Sequence, residues 1–90
     1  MRINRQVKVF GRVQGVFFRQ STFQKALELE IKGWVKNEPD GTVQVEIEGN
    51  QTAVLEMERW LKSGPPLAKV ENIKVTDGEE KGYQDFLIKR

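Results

Sequence analysis

Within 90 residues the hydrophobic spacing switches repeatedly between the two-residue period of a strand and the 3.6-residue period of a helix. Val7 and Val9 alternate with Gln6 and Lys8, which predicts a strand over Arg5–Phe10. Gly11-Arg12-Val13-Gln14-Gly15 reads as a glycine-punctuated loop. From about Phe18 to Glu30, Phe18, Thr22, Phe23, Ala26, Leu27 and Leu29 share half of a helical wheel. Gly33–Asn37 reads as a short strand, and Glu38-Pro39-Asp40-Gly41 as a turn. Thr42–Glu48 alternates cleanly, with Val43, Val45 and Ile47 expected inward and Gln44, Glu46 and Glu48 outward, completing a hairpin. Asn50 suits a helix N-cap, and Ala53, Val54, Met57, Trp60 and Leu61 stripe a second helix over Gln51–Lys62. Ser63-Gly64-Pro65-Pro66 stops that helix. A strand over Val70–Thr76, a charged loop over residues 77–82 and a short strand marked by Phe86 and Ile88 complete the chain.

The resulting order is β-α-β-β-α-β-β. Two helices with one apolar face each belong on one face of a mostly antiparallel sheet. The expected fold class is therefore α+β, a ferredoxin-like (split βαβ) sandwich with an extra C-terminal strand. The length suits one domain over residues 1–90. That fold hosts enzymes, RNA binders and regulatory modules, so function must be read from particular residues.

Composition narrows the chemistry. The chain has no Cys and no His, which removes disulfides, thiolate nucleophiles, His bases and His- or Cys-built metal sites. No metal and no cofactor is expected. The longest apolar runs are as short as Val16-Phe17-Phe18, and Met1-Arg2-Ile3-Asn4-Arg5 lacks the apolar core of a signal peptide. A cytoplasmic protein without a membrane partner is the expectation. Charge is uneven: residues 1–36 hold eight Lys/Arg against two Glu, whereas residues 37–66 hold two basic and six acidic side chains. A basic first third suits an anion site or a nucleic-acid surface, as well as ordinary solvated faces.

Val13-Gln14-Gly15-Val16-Phe17-Phe18-Arg19 leaves a strand and enters a helix. Such a junction gathers unpaired backbone N–H groups at the positive end of a helix dipole, which suits a tetrahedral anion. Arg19 lies one helical step from Phe18, inside the apolar arc, where a guanidinium requires a partner or an anion. Its fork of donors matches two phosphate oxygens. The loop is neither a Walker A sequence nor a dinucleotide fingerprint. Its spacing is like that of the cysteine phosphatases, with Val13 where their nucleophile would stand. On spacing alone it fits either a phosphate cradle or a turn that uses Gly and Arg for geometry and solubility. Asn37, just before the Glu38–Gly41 turn, fits either a site residue or a turn-former bonded to local backbone.

Taken together, these segments resemble a known family. Gly11-Arg12-Val13-Gln14-Gly15-Val16-Phe17-Phe18-Arg19 resembles the first signature of the acylphosphatases, and Gly33-Trp34-Val35-Lys36-Asn37 through Glu48-Gly49 the second. Gly64-Pro65-Pro66-Leu67-Ala68-Lys69-Val70 and Phe86-Leu87-Ile88 resemble later family segments, so the likeness covers nearly the whole chain. The resemblance implies hydrolysis of acyl phosphates to carboxylate and inorganic phosphate. It implies Arg19 as phosphate-binding arginine, Asn37 as the residue positioning water, and Gln14, Gly15, Val16, Phe17 and Phe18 as the phosphate loop. Phe17 falls at a position that varies in the family.

The chemistry suits these residue types. No His or well-placed acid stands ready to protonate a leaving alkoxide, but a carboxylate, whose conjugate acid has a pKa of about 4, needs none. The expected partner is thus a small-molecule acyl phosphate, with inorganic phosphate or sulfate at the same site, no nucleic acid, and a monomeric chain. Two alternatives stand beside the enzyme: an anion-binding regulatory domain, and a nucleic-acid-binding module on the same fold. The second calls for stacking aromatics on the open strand faces, where the sequence is read as offering Gln, Lys, Glu and Thr.

Overall fold

The computed structural model describes residues 1–90. Its elements are β1 (Arg2–Arg12), α1 (Phe18–Glu28), β2 (Lys32–Asn37), β3 (Val43–Asn50), α2 (Gln51–Ser63), β4 (Lys69–Gly78) and β5 (Phe86–Lys89), in the predicted order. The five strands form one sheet in the order β4-β1-β3-β2-β5. Antiparallel pairing joins β4 to β1, β1 to β3 and β3 to β2, while β5 runs parallel to β2. Because β1 and β2 both oppose β3, they point the same way, and so does β5. Their C-terminal ends meet at one end of the sheet.

The core lies between the sheet and the two helices. Val7, Val9, Val35, Val43, Val45 and Ile47 project from the strands onto Phe18, Ala26, Val54, Met57 and Leu61, all of them buried. Asn50 caps α2 as expected, its Oδ1 accepting from the Thr52 N–H at 3.0 Å. Gly64 ends the helix at a φ of 69°, where its N–H donates to the Trp60 carbonyl at 2.7 Å. Helix α1 departs from its sequence reading: Phe18, Thr22 and Ala26 are buried, but Leu27 is exposed. The buried stripe of this helix is narrower than the half-wheel because it packs chiefly on β2 and β5, with a smaller contact to α2 through Phe18.

Gly33 permits a close approach in the hairpin. Its φ is 137°, and a Cβ there would strike the Glu46 carbonyl oxygen across the β2–β3 ladder. The connecting turn is fixed by Asp40, whose carboxylate accepts from the Thr42 N–H at 3.0 Å and hydroxyl at 2.6 Å and meets Lys8 Nζ at 3.1 Å. The Thr42 hydroxyl first, then the other donors, hold the Asp40 pKa down at about 2.

The face away from the helices corrects two expectations. Glu46 and Glu48 point to that side, as their alternation requires, yet both are buried. The segment after β4 folds over them: Glu48 accepts from the backbone N–H groups of Lys81, Gly82 and Tyr83 at 2.7 to 3.0 Å and from Asn4 Nδ2 at 2.9 Å. Glu46 accepts from Asn4 at 2.9 Å and pairs with Lys81 at 2.7 Å. Burial pushes both carboxyl pKa values up, but the hydrogen bonds outweigh it and hold both below the ordinary glutamate range. An aromatic also occupies this face. Trp34 donates its Nε1–H to the Tyr83 hydroxyl at 3.2 Å, and Lys89 Nζ sits 4.5 Å from its ring centroid. Its ring is thus already engaged. Across all five strands, Lys74, Lys8, Gln44, Lys36 and Lys89 fall in one register row on this face.

Candidate active site

The chain leaves β1 at Arg12, and residues 13–17 carry it to the start of α1. Gly15 takes a φ of 73°, a left-handed conformation for which glycine is the least strained residue. Phe17, the N-cap of α1, is also left-handed at 61°, and no side chain caps the helix. Holding a Phe there costs about 1 kcal/mol or more. The loop thus departs from ordinary capping chemistry. No backbone N–H from Gln14 to Phe17 donates to any acceptor in the chain. The first-turn N–H groups that follow have no intrahelical partner either, and the first turn carries no acidic side chain. A run of unpaired donors therefore collects at the start of α1, reinforced by the helix dipole.

At that point lies an open cleft of about 510 Å³ lined by Val13, Gly15, Phe17, Phe18, Arg19, Gln20, Asn37, Ile88 and Arg90. No acidic side chain lines it. Phe18 is buried, with its ring 6.1 Å from that of Trp60, so the first turn of α1 is anchored in the core. Arg19 forms no ion pair. Its Nη1 makes only a long 3.4 Å contact to the Lys89 carbonyl, leaving the fork free for an anion. Asn37 closes β2 on the other side. Its Oδ1 is buried without a hydrogen-bond partner in the chain. A buried amide oxygen with no partner calls for a ligand or water. The alternative in which its side chain bonds the local turn does not occur.

The loop residues do not all act alike. Gly15, Phe17, Phe18, Arg19 and Asn37 line one cleft. The Val16 side chain turns into the core instead. Gln14 reaches across to the hairpin, its Nε2 donating to the carbonyls of Glu38 and Thr42 at 2.8 Å each. Val16 has only its backbone N–H to offer an anion, and so does Gln14 once its side chain is committed to the turn. The reading of residues missed Gln20, Ile88 and Arg90. Ile88 and Arg90 arrive through the parallel pairing of β5 with β2, which no local pattern encodes.

With the geometry established, comparison with known proteins places it. The acylphosphatase family model matches residues 5–88. A protein named acylphosphatase from Nocardioides sp. is 46% identical over 89 residues, covering 99% of this chain and 90% of that one. The structure of an acylphosphatase from Coxiella burnetii superposes with a TM-score of 0.94 at 39% identity, covering 98% of this chain and 93% of that one. The crystal structure of acylphosphatase from Bacillus subtilis gives a TM-score of 0.94 at 36% identity over all of both chains. The α+β sandwich is thus common to all three structures. The chain belongs to the acylphosphatase family and is an enzyme of that class.

Proposed function

We propose that this chain hydrolyses acyl phosphates to a carboxylate and inorganic phosphate by direct attack of water, without a metal or a cofactor. The phosphoryl oxygens sit against the free N–H groups of residues 14–18 and the fork of Arg19. Asn37 holds the attacking water through its unpartnered Oδ1. Phosphoryl transfer passes through a loose transition state with charge on the equatorial oxygens, so positioning and fixed donors supply most of the acceleration. Water forms the new P–O bond, the bond to the acyl oxygen breaks, and the carboxylate leaves without a proton. The proton of the water passes to phosphate or solvent. No three His, Cys, Asp or Glu side chains gather as a metal site, so neutralisation of charge falls to Arg19 and the main chain. The chain acts on a small molecule as a monomer of one domain, in the cytoplasm, without nucleic acid or membrane. Phosphate or sulfate competes at the same site. No helix is long and apolar enough to cross a membrane.

The observation that carries this reading is the free Arg19 fork beside the run of unpaired N–H groups and the orphaned Asn37 oxygen in one cleft. Two variants test it. Arg19→Lys replaces the fork with a point charge and should lower kcat/KM for an acyl phosphate by about a hundredfold, a transition-state loss of about 2.7 kcal/mol. Asn37→Ala should lower kcat similarly while the inhibition constant of phosphate stays within about threefold. Full turnover by Asn37→Ala would refute the water-positioning role.

A further inference from the structure

Glu48 lies away from the cleft and has no part in the proposed chemistry, yet its carboxylate is fully buried and accepts four hydrogen bonds. Three come from the consecutive backbone N–H groups of Lys81, Gly82 and Tyr83, and Gly82 takes a left-handed φ of 73° among them. Successive N–H groups turned onto one anion form a backbone nest, and the charge strengthens each bond. Asn4 Nδ2 adds the fourth. A buried carboxylate is costly to desolvate, so its presence calls for a reason beyond filling space. What it holds is the segment that leads into β5. We propose that Glu48 is a positioning residue for the hydrolysis: by clamping residues 81–83 it fixes where β5 docks along β2, and through β5 the seat of the Arg19 guanidinium. The proposal rests on the hydrolytic reading of the cleft.

The path from Glu48 to Arg19 is continuous. Tyr83 stands just before Phe86, the first residue of β5, and between them the Asp85 carbonyl accepts from the Gly33 N–H at 2.9 Å. Phe86 is buried with its ring 6.4 Å from that of Phe23 on α1, and from it the strand runs in the register Gly33–Phe86 to Lys36–Lys89. β5 has 4 residues and lies at the edge of the sheet, paired on one side only. Few bonds of its own hold it, so its placement depends on where the preceding segment is tied. At its far end the Lys89 carbonyl accepts the 3.4 Å contact from Arg19 Nη1, and Ile88 and Arg90 line the cleft. So long a contact orients the guanidinium without consuming its fork. Glu48 is opposite Lys32, and Lys89 is beside Lys36, which sets clamp and seat about 13 Å apart along β2. β2 itself is paired to β3 from Lys32 to Asn37, so Asn37 keeps its place when β5 shifts.

The test uses the full chain below the melting temperature of each variant, with circular dichroism confirming the folded state. Glu48→Gln keeps the shape, removes the charge and turns an amide donor toward the N–H groups of the nest. Gly82→Ala leaves the carboxylate intact and strains the nest at its positive φ. Val54→Ala, on the buried face of α2, loosens the core away from β5 and serves as the comparison. KM for benzoyl phosphate, and the dissociation constant of inorganic phosphate read by calorimetry, should each rise about fivefold in Glu48→Gln and about threefold in Gly82→Ala, with kcat within about twofold of the parent's. Amide hydrogen exchange over Phe86–Lys89 should quicken about tenfold relative to β1 and β3 in both variants. Val54→Ala should lower Tm while KM, phosphate affinity and the relative exchange of β5 stay within about twofold of the parent's. A Glu48→Gln variant that loses stability but keeps the parent's phosphate affinity and β5 exchange would overturn the proposal. So would an equal loss of phosphate affinity in Val54→Ala. Where Glu48→Gln does not fold, Gly82→Ala decides between the same outcomes. Failure of the parent to hydrolyse benzoyl phosphate would refute the hydrolytic reading, and the role in hydrolysis with it, a result separate from the calorimetric and exchange measurements, which need no turnover.

Discussion

The Gln14 side chain makes the hydrogen bonds that tie the loop before α1 to the hairpin carrying Asn37, and Gln14→Met isolates them. Methionine matches glutamine in length and volume and removes only the two donated hydrogen bonds. Both acceptors keep another partner: the Glu38 carbonyl still accepts from the Gly41 N–H at 3.1 Å, and the Thr42 carbonyl from the Glu38 N–H at 2.9 Å. The change therefore leaves no orphaned acceptor, and the loss stays near the net value of two ordinary hydrogen bonds, about 1–2 kcal/mol in total. For a chain of 90 residues that is a fall in Tm of about 5–10 °C, read by circular dichroism or calorimetry. Function should suffer more than stability. The loop and Asn37 no longer share a rigid tie, and misplacement by a fraction of an ångström weakens in-line attack, so kcat for benzoyl phosphate should drop about tenfold. A variant that melts within 2 °C of the parent and turns over at the parent's rate would refute the view that this link sets the geometry of the cleft.

Other outcomes follow from single features. Gly33→Ala sets a methyl group against the Glu46 carbonyl at a φ of 137°, and should cost about 3 kcal/mol or more, lowering Tm by about 15 °C. Acid should destabilise the fold through Glu46, Glu48 and Asp40, whose pKa values are all depressed. The unfolded chain binds more protons there, so stability is full above about pH 5 and is lost as pH falls through the folded values, the Asp40 contribution persisting to about pH 2. In urea titrations across pH, Glu48→Gln should be less stable than the parent near pH 7, with a shallower loss on acidification. An equal acid slope in parent and variant would exclude Glu48 as a contributor.

Much of this architecture is local chemistry that a sequence displays. The hairpin turn, the Asn50 cap and the Gly64 stop each follow from residue types acting on their own neighbours. On local features alone Arg19 and Asn37 each fitted a site role or a turn role, and only the family resemblance singled them out. What stayed hidden came from partners distant along the chain. Glu46 and Glu48 alternate like solvent-facing residues, and only the segment at residues 81–83 folding over them makes them buried acids. The Gln14 link spans 24 and 28 residues to main-chain carbonyls, which no side-chain pattern announces. Ile88 and Arg90 reach the cleft only because β5 adds to the sheet edge beside β2.

The row of lysines across the open face bears on how the chain meets copies of itself. Residues 81–83 cover part of the face away from the helices, and what they leave open meets any neighbour that can lie flat on it. Here Lys74, Lys8, Lys36 and Lys89 cross all five strands at one level, interrupted only by Gln44. Two molecules stacking bare side to bare side would bring ammonium against ammonium, and like charges so apposed repel. Lys8 shares its charge with Asp40 and Lys89 sits against the Trp34 ring, so Lys74 and Lys36 would carry most of that repulsion.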